Sequence, residues 1–267
     1  MMKLIVSDLD GTLLDPQGNL DKDVFPLLSK LEERGILFVP ASGRQHHNLY
    51  KLFTPLSEKL VFICENGALV RQGRRTLYSS PLLAERARSV IRAARSVGGL
   101  QILLCCENTA FIETTEEPFR TKAHASYTNC LEVDDLEKYL SQETVCKVSI
   151  YDLKGSKNYA EKVLPPLLDG VKCVVSGGHW LDVIAPETDK RNALRVVQER
   201  FGVTPDECMV FGDQMNDLGM FEVCTHTRAV ANAVPEVRSA AKKIIPSNAE
   251  KGVFQELEAF LKGENYV

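Results

Sequence analysis

Acidic residues gather at two places in the chain, each directly after a short apolar run. Asp8-Leu9-Asp10-Gly11-Thr12 follows Lys3–Ser7, and Gly212-Asp213-Gln214-Met215-Asn216-Asp217 follows Cys208–Phe211. Carboxylates so placed can attack an electrophile, move a proton or hold a cation. Asp8, Asp10, Asp213 and Asp217 on one rim would repel each other unless a cation joined them. The donors are all oxygens, with no His or Cys among them, which favours a hard ion, Mg²⁺ before Ca²⁺ or Mn²⁺. A turn at Asp10-Gly11 and a helix cap at Asp213 account for one or two of these acids, but not for all of them.

Two further stretches offer groups suited to an anion. Ala41-Ser42-Gly43-Arg44 follows an apolar run and opens a helical pattern. There the Ser42 hydroxyl and the free backbone N–H groups make an anion site, although Ser42 also reads as an ordinary N-cap. Lys190 stands at the start of another helical pattern, where a cation works against the helix dipole. An anion bound beside it would resolve that conflict; the competing reading is a solvated surface lysine.

The elements that must position these residues alternate. Lys3–Ser7, the run from Ile36 to Ser42 and Lys59–Cys64 read as strands. Between them, Lys22–Arg34 and Gln45 to about Pro55 read as helices. Toward the other end, Lys190–Phe201 is helical and stops at Gly202, Cys208–Phe211 is a strand, and Met215–Glu222 and Val253–Leu261 are helices. Such alternation specifies an α/β fold, a doubly wound parallel, Rossmann-like sheet, whose ligands bind beyond the carboxyl ends of the strands. The middle reads differently. After a turn at Leu77–Pro81, a helix over Leu83–Val97 leads into paired strands at 100–106 and 109–114. Strands at 145–152, 171–177 and 179–186 follow, with a helix over Ser156–Leu168. This is the pattern of an α+β module with its helices to one side, inserted into the first domain. The expected boundaries are 1–82 and 187–267 for the outer domain and 83–186 for the insertion.

Composition narrows the remaining classes. With 32 Lys+Arg against 36 Asp+Glu, the net charge is −4, which excludes a protein that grips nucleic acid by bulk positive charge. No apolar stretch reaches the roughly 18–20 residues that span a bilayer, and the N-terminal apolar run is too short for a signal peptide. Most of the eight cysteines sit inside apolar runs and form no C-x-x-C pair, so they read as buried, reduced thiols. A cytoplasmic location is expected, with neither a membrane nor a nucleic acid as partner.

The motifs in this order resemble those of the haloacid dehalogenase superfamily of aspartate-nucleophile phosphatases. More specifically the chain is similar to the Cof-like branch, which carries a type IIB cap. The stretches at Glu65–Val70, Ala231–Ala241 and Ser247–Val253 support the resemblance. It implies a hydrolase core with an inserted cap, and Asp8 as the nucleophile that takes the phosphoryl group. It further implies Asp10 as acid and base, and Lys190, Ser42, Gly43 and Asn216 as phosphate ligands. Mg²⁺ would sit on the Asp8 carboxylate, the Asp10 carbonyl and Asp213, with Asp217 close by. Arg44, Arg120 and His124 are candidates to touch the rest of the substrate, as are Lys122, Tyr127 and Lys147. Ser42 stands where the branch usually has Thr, Arg191 where it usually has Gly, and Ala231 replaces the Gly of a usual Met-Gly-Asn-Ala. The expected activity is hydrolysis of a small phosphorylated metabolite, sugar phosphates foremost. A phosphomutase of the same fold and a non-enzymatic module that binds phosphometabolites are the alternatives.

Overall fold

A computed structural model describes residues 1–113, 116–155, 159–176 and 178–263. They fall into two compact units. The first comprises Met1–Ser42, Leu49–Tyr78 and the chain from Asp189 onward; the second comprises Gly43–Asn48 and Ser79–Thr188.

The chain begins with β1 (Leu4–Asp8), α1 (Val24–Glu33), β2 (Leu37–Ala41), α2 (His46–Leu52), β3 (Val61–Cys64), β4 (Leu69–Gln72) and β5 (Arg75–Ser79). β1 is buried along its whole length, as a central strand with both faces covered must be. α1 turns Val24, Leu27, Leu28 and Leu31 inward, the face its sequence period specifies. One expectation fails here: Leu77–Pro81 is not simply a turn. Gly73-Arg74 reverses the chain, and Arg75–Ser79 pairs beside β4 as the edge strand of the sheet.

The second unit carries α3 (Ala84–Val97), β6 (Leu100–Cys106), β7 (Ala110–Ile112), α4 (Phe119–Ser126), β8 (Cys130–Glu132), β9 (Val145–Asp152), α5 (Ala160–Val163), β10 (Lys172–Val175) and β11 (Trp180–Ile184). Its six-stranded sheet runs β10-β11-β9-β6-β7-β8, antiparallel apart from the β7–β8 pair. The pleat of β6 sorts its side chains onto two faces. Ile102, Leu104 and Cys106 pack with Val90, Ile91 and Ala94 of α3, whereas Leu103 and Cys105 pack with Phe119 and Ala123 of α4. Helices therefore cover both faces, not one. The helix expected from Ser156 begins outside the described residues. Within them, α5 gives way to a single 3₁₀ turn at Pro165–Leu167, because consecutive prolines cannot continue α-helical hydrogen bonding.

The chain then returns to the first unit as α6 (Lys190–Phe201), β12 (Cys208–Gly212), α7 (Leu218–Glu222), β13 (His226–Val230), α8 (Pro235–Ala240), β14 (Lys243–Ile245) and α9 (Gly252–Lys262). Gly202, in the left-handed conformation, closes α6. The eight-stranded order is β14-β13-β12-β1-β2-β3-β4-β5. Pairing is parallel from β14 through β3 and antiparallel between β3 and β4. α1 packs with α9, and α6 packs with α7. The fold is a doubly wound α/β core with an inserted α+β unit. Among the described residues, no helix is long and apolar enough to cross a membrane.

Candidate active site

β1 lies between β2 and β12, and the register sets Asp8 opposite Ala41 and Ser7 opposite Phe211. All three strands are parallel, so the residues that follow them emerge at one rim. Those residues are the Leu9–Leu13 turn, Ser42 and Asp213. The turn is helical but broken at Asp10 (ψ 113°) and at Gly11 (φ 87°), a left-handed conformation that favours glycine. A Cβ on Gly11 would also come within 2.5 Å of Asp213 Oδ2, so only glycine lets this loop approach the second acidic motif.

The approach builds a buried cluster. Carboxylate oxygens of Asp8, Asp213 and Asp217 all lie within 4.8 Å of one another. The Lys190 ammonium donates to Asp8 Oδ1 at 2.5 Å and to Asp217 Oδ1 at 2.7 Å. Asp217 Oδ2 accepts the backbone N–H groups of Asp213 (3.0 Å) and Gln214 (3.1 Å), which shapes its own loop. Asp213 accepts from the Thr12 hydroxyl at 2.8 Å and from the Gln214 amide at 3.2 Å.

Lys190 is only 1% exposed, so the reading as a solvated lysine fails. It is the first residue of α6. Asp189 caps that helix by accepting the Asn192 N–H at 2.7 Å, and the two carboxylates offset the unfavourable dipole. Burial would lower the Lys190 pKa, but Asp217 and Asp8 more than reverse this, and the ammonium is held in its charged form. Burial and the Asp217 charge push Asp8 well above the usual carboxylate range, against the pull of Lys190. Burial and Asp217 also raise Asp213, eased by the hydrogen bonds from Thr12 and Gln214. Among the described residues, the cluster thus sets three carboxylates together with the Lys190 ammonium, which pairs with Asp8 and Asp217. That surplus of negative charge on closely spaced hard oxygen donors fits a divalent cation such as Mg²⁺.

Ser42 is buried directly beyond β2; its N–H donates to the Ile63 carbonyl and its carbonyl accepts the Asn66 N–H. Gly43 and Arg44 follow it, and the Gly43 carbonyl accepts from the Lys147 ammonium at 3.1 Å. Asp10 lies in the first loop with its residue exposed, outside the carboxylate cluster. The Asn216 amide donates to Asn66 Oδ1 at 3.2 Å. Arg191 does not reach freely into solvent: its guanidinium is held by Glu222 at 2.7 Å and by Asp189 at 3.3 Å.

The second unit places the other candidates. Arg120 and His124 on α4 both meet Glu132 of β8, at 2.7 and 3.1 Å. Lys147 is buried and paired with Asp182 at 3.0 Å, and Ser149 also donates to Asp182 at 2.6 Å. Trp180 packs against Tyr151 and Phe119 as an apolar anchor.

Sequence reasoning did not single out Thr12, Gln214, Asn66 or Asn232. The Asn232 amide donates to the Gly11 carbonyl at 2.8 Å, and its Oδ1 accepts the Asn248 N–H at 3.0 Å. Asn248 in turn donates to the Leu14 carbonyl at 2.9 Å. The stretches around Ala231 and Ser247 therefore tie down the middle and the far end of the first acidic loop. Thr12 and Asn232 lie inside stretches already recognised by resemblance, and that was the available signal.

Comparison with known proteins shows the family. The sequence model of the haloacid dehalogenase-like hydrolases matches residues 5–257. The chain is 27% identical to the 5-amino-6-(5-phospho-D-ribitylamino)uracil phosphatase YbjI of Escherichia coli, covering 98% of this chain and 97% of that protein. A crystal structure from Eubacterium rectale is 30% identical, with a TM-score of 0.88 over 97% of this chain and 99% of that one. The haloacid dehalogenase subclass IIB sugar phosphatase BT4131, 19% identical, shares the fold at a TM-score of 0.77, covering 97% of this chain and 99% of that one.

Proposed function

The chain belongs to the haloacid dehalogenase-like hydrolases and is a phosphoric monoester hydrolase; from that we propose that it cleaves small phosphorylated metabolites through an aspartyl-phosphate on Asp8, with Mg²⁺ as cofactor. The observation that carries this reading is the buried cluster of Asp8, Asp213 and Asp217 around the Lys190 ammonium at the carboxyl ends of β1 and β12.

In the first step an Asp8 carboxylate oxygen attacks phosphorus, and the bond from phosphorus to the substrate oxygen breaks. Asp10 gives its proton to the departing alkoxide. In the second step Asp10 takes a proton from water, and that water attacks the aspartyl-phosphate, releasing phosphate and restoring Asp8. Lys190 offsets the charge of the incoming phosphate, and the Ser42 hydroxyl and Gly43 N–H hold its oxygens. Asp217 keeps Lys190 in place. Preorganised charges of this kind supply most of the catalysis in phosphoryl transfer. The Asp8 and Asp213 carboxylates and the Asp10 carbonyl would hold Mg²⁺, with Asp217 beside them. When bound, the ion supplies charge neutralisation and polarisation of phosphate oxygens.

The substrate class we favour is a phosphate ester of a sugar or polyol chain. The activity named for the E. coli relative, on a phosphorylated ribityl compound, supports that choice. The test is phosphate release from a panel of sugar phosphates, 5-amino-6-(5-phospho-D-ribitylamino)uracil and nucleotides, with Mg²⁺ or with a chelator. Release should need Mg²⁺ and vanish in Asp8→Asn. Undiminished release from Asp8→Asn, or from chelated enzyme, would overturn the mechanism. Preference for nucleotides would overturn the substrate class alone.

A further inference from the structure

Two thiols in the first unit have a place in neither the cluster nor the mechanism. Cys208 opens β12, and Cys224 lies two residues before β13. These strands are parallel neighbours with Met209 opposite His226, so their entrances stand side by side. There the two sulphurs approach to 2.8 Å, with Cys208 fully buried and Cys224 8% exposed. That separation is well inside an ordinary non-bonded sulphur contact, and a disulfide bond of about 2.05 Å needs a closure of only roughly 0.8 Å. The Gln198 amide of α6 holds the Cys224 side of this contact. It donates to the Val223 carbonyl at 2.9 Å and lies 3.8 Å from Cys224 Sγ.

We propose that Cys208 and Cys224 are an oxidative modification site that closes to an intramolecular disulfide when a peroxide is the oxidant. The Cys224 sulphur, the more exposed of the two, attacks a peroxide oxygen. The O–O bond breaks, leaving Cys224 as a sulfenic acid and releasing one water. The Cys208 thiol then attacks the sulfenic sulphur; the S–O bond breaks and the hydroxyl leaves with the thiol proton as a second water. The two thiols together lose two electrons and two protons, and the peroxide is reduced to water.

The position of the bond gives it a consequence. The segment between the two cysteines contains Asp213, Asn216 and Asp217, so the bond fastens both ends of the loop that carries the second acidic motif. The hydrogen bond to the Cys208 thiol, then burial, hold Cys224 in its protonated form, which slows its attack on the peroxide. The bond would therefore act as a brace on this segment.

The experiment treats the intact chain with hydrogen peroxide, blocks the remaining thiols and maps the peptides without reduction. The expected result is a loss of about 2 Da and a peptide joining Cys208 to Cys224. A rise in Tm of roughly 6–12 °C, reversed by dithiothreitol, should accompany it, as expected for a cross-link closing a loop of this length. Cys208→Ala, which removes one sulphur and little volume, should abolish both changes. A different cysteine pair in the map, or over-oxidation of Cys224 with no cross-link while the protein stays folded, would overturn the proposal. If Cys208→Ala does not fold, the wild-type peptide map decides alone.

Discussion

Gly67 offers a test of how the site is held, because it carries no side chain yet packs against the start of α6. Its φ is +97°, and a Cβ built there would lie 2.2 Å from the Asp189 carbonyl oxygen and 2.9 Å from the Lys190 nitrogen. Ordinary contact begins near 3.4 Å, so in Gly67→Ala the peptide that opens α6 must retreat by about 1.2 Å. Lys190 Nζ now sits 2.7 Å from Asp217, and a full retreat would stretch that contact to about 3.9 Å, beyond hydrogen-bond range. Misplacing a reacting group by about 1 Å costs on the order of 10²-fold in rate, and kcat should fall by about that factor. The left-handed backbone adds about 1–2 kcal/mol of strain and the overpacking about 1–3 kcal/mol, about 2–5 kcal/mol in all. For a domain of this size the Tm should drop by roughly 4–20 °C. Steady-state kinetics at a temperature where the variant is fully folded, with a melting curve alongside, gives both numbers. A kcat within threefold of wild type and an unchanged Tm would refute the idea that this contact places Lys190.

Lys190→Met leaves buried carboxylates without their cation. It should abolish turnover and cost about 3–5 kcal/mol, measured by urea unfolding. Because Asp8 and Asp213, already raised by burial, must then keep protons to stay buried, stability should fall as the pH rises above the ordinary carboxylate range. In the second unit, Lys147→Met strands Asp182 and should also cost about 3–5 kcal/mol, while Lys147→Met with Asp182→Leu should recover most of it. The Lys3 ammonium and the Thr204 N–H hold Glu207 down at about 2. A depressed carboxyl contributes stability above its ordinary pKa and loses it as the pH falls toward the depressed value. Glu207→Gln should therefore flatten the decline in the urea midpoint between about pH 4.5 and 2.

The parts of the fold legible in the sequence are those where burial and local pattern agree. β1, β9, α3 and α6 combine apolar periods with clear stops and stand where the sequence places them. β13 escaped because buried polar residues interrupt it. Thr227 and Arg228 are both interior, and Arg228 is neutralised by Glu256 from α9 at 2.7 Å, a partner no local pattern reveals. α4 escaped because it buries only Phe119 and Ala123. β4 and β5 were missed because a short edge hairpin has little apolar signal. At the site, motif and strand end together bring out Asp8, Asp213 and Asp217. The interior position of Lys190 was not legible, since burial of a lysine depends on acids far away in the chain. Thr12 and Asn232 act through partners more than 200 residues distant, Asp213 and Gly11.

That distance gives the order of the strands a meaning for synthesis. The six strands of the second sheet all lie between Leu100 and Ile184, so that sheet has every strand it needs before β12 has been made. β1 is made before the insertion, yet its neighbour β12 arrives only after the whole of it. A nascent chain therefore carries Asp8 beside an empty edge until β12 follows, lacking Lys190, Asp213 and Asp217. At about 5–20 residues per second the wait lasts on the order of ten seconds or more. The Asp8 carboxylate is thus made long before the lysine and the two acids that come to surround it.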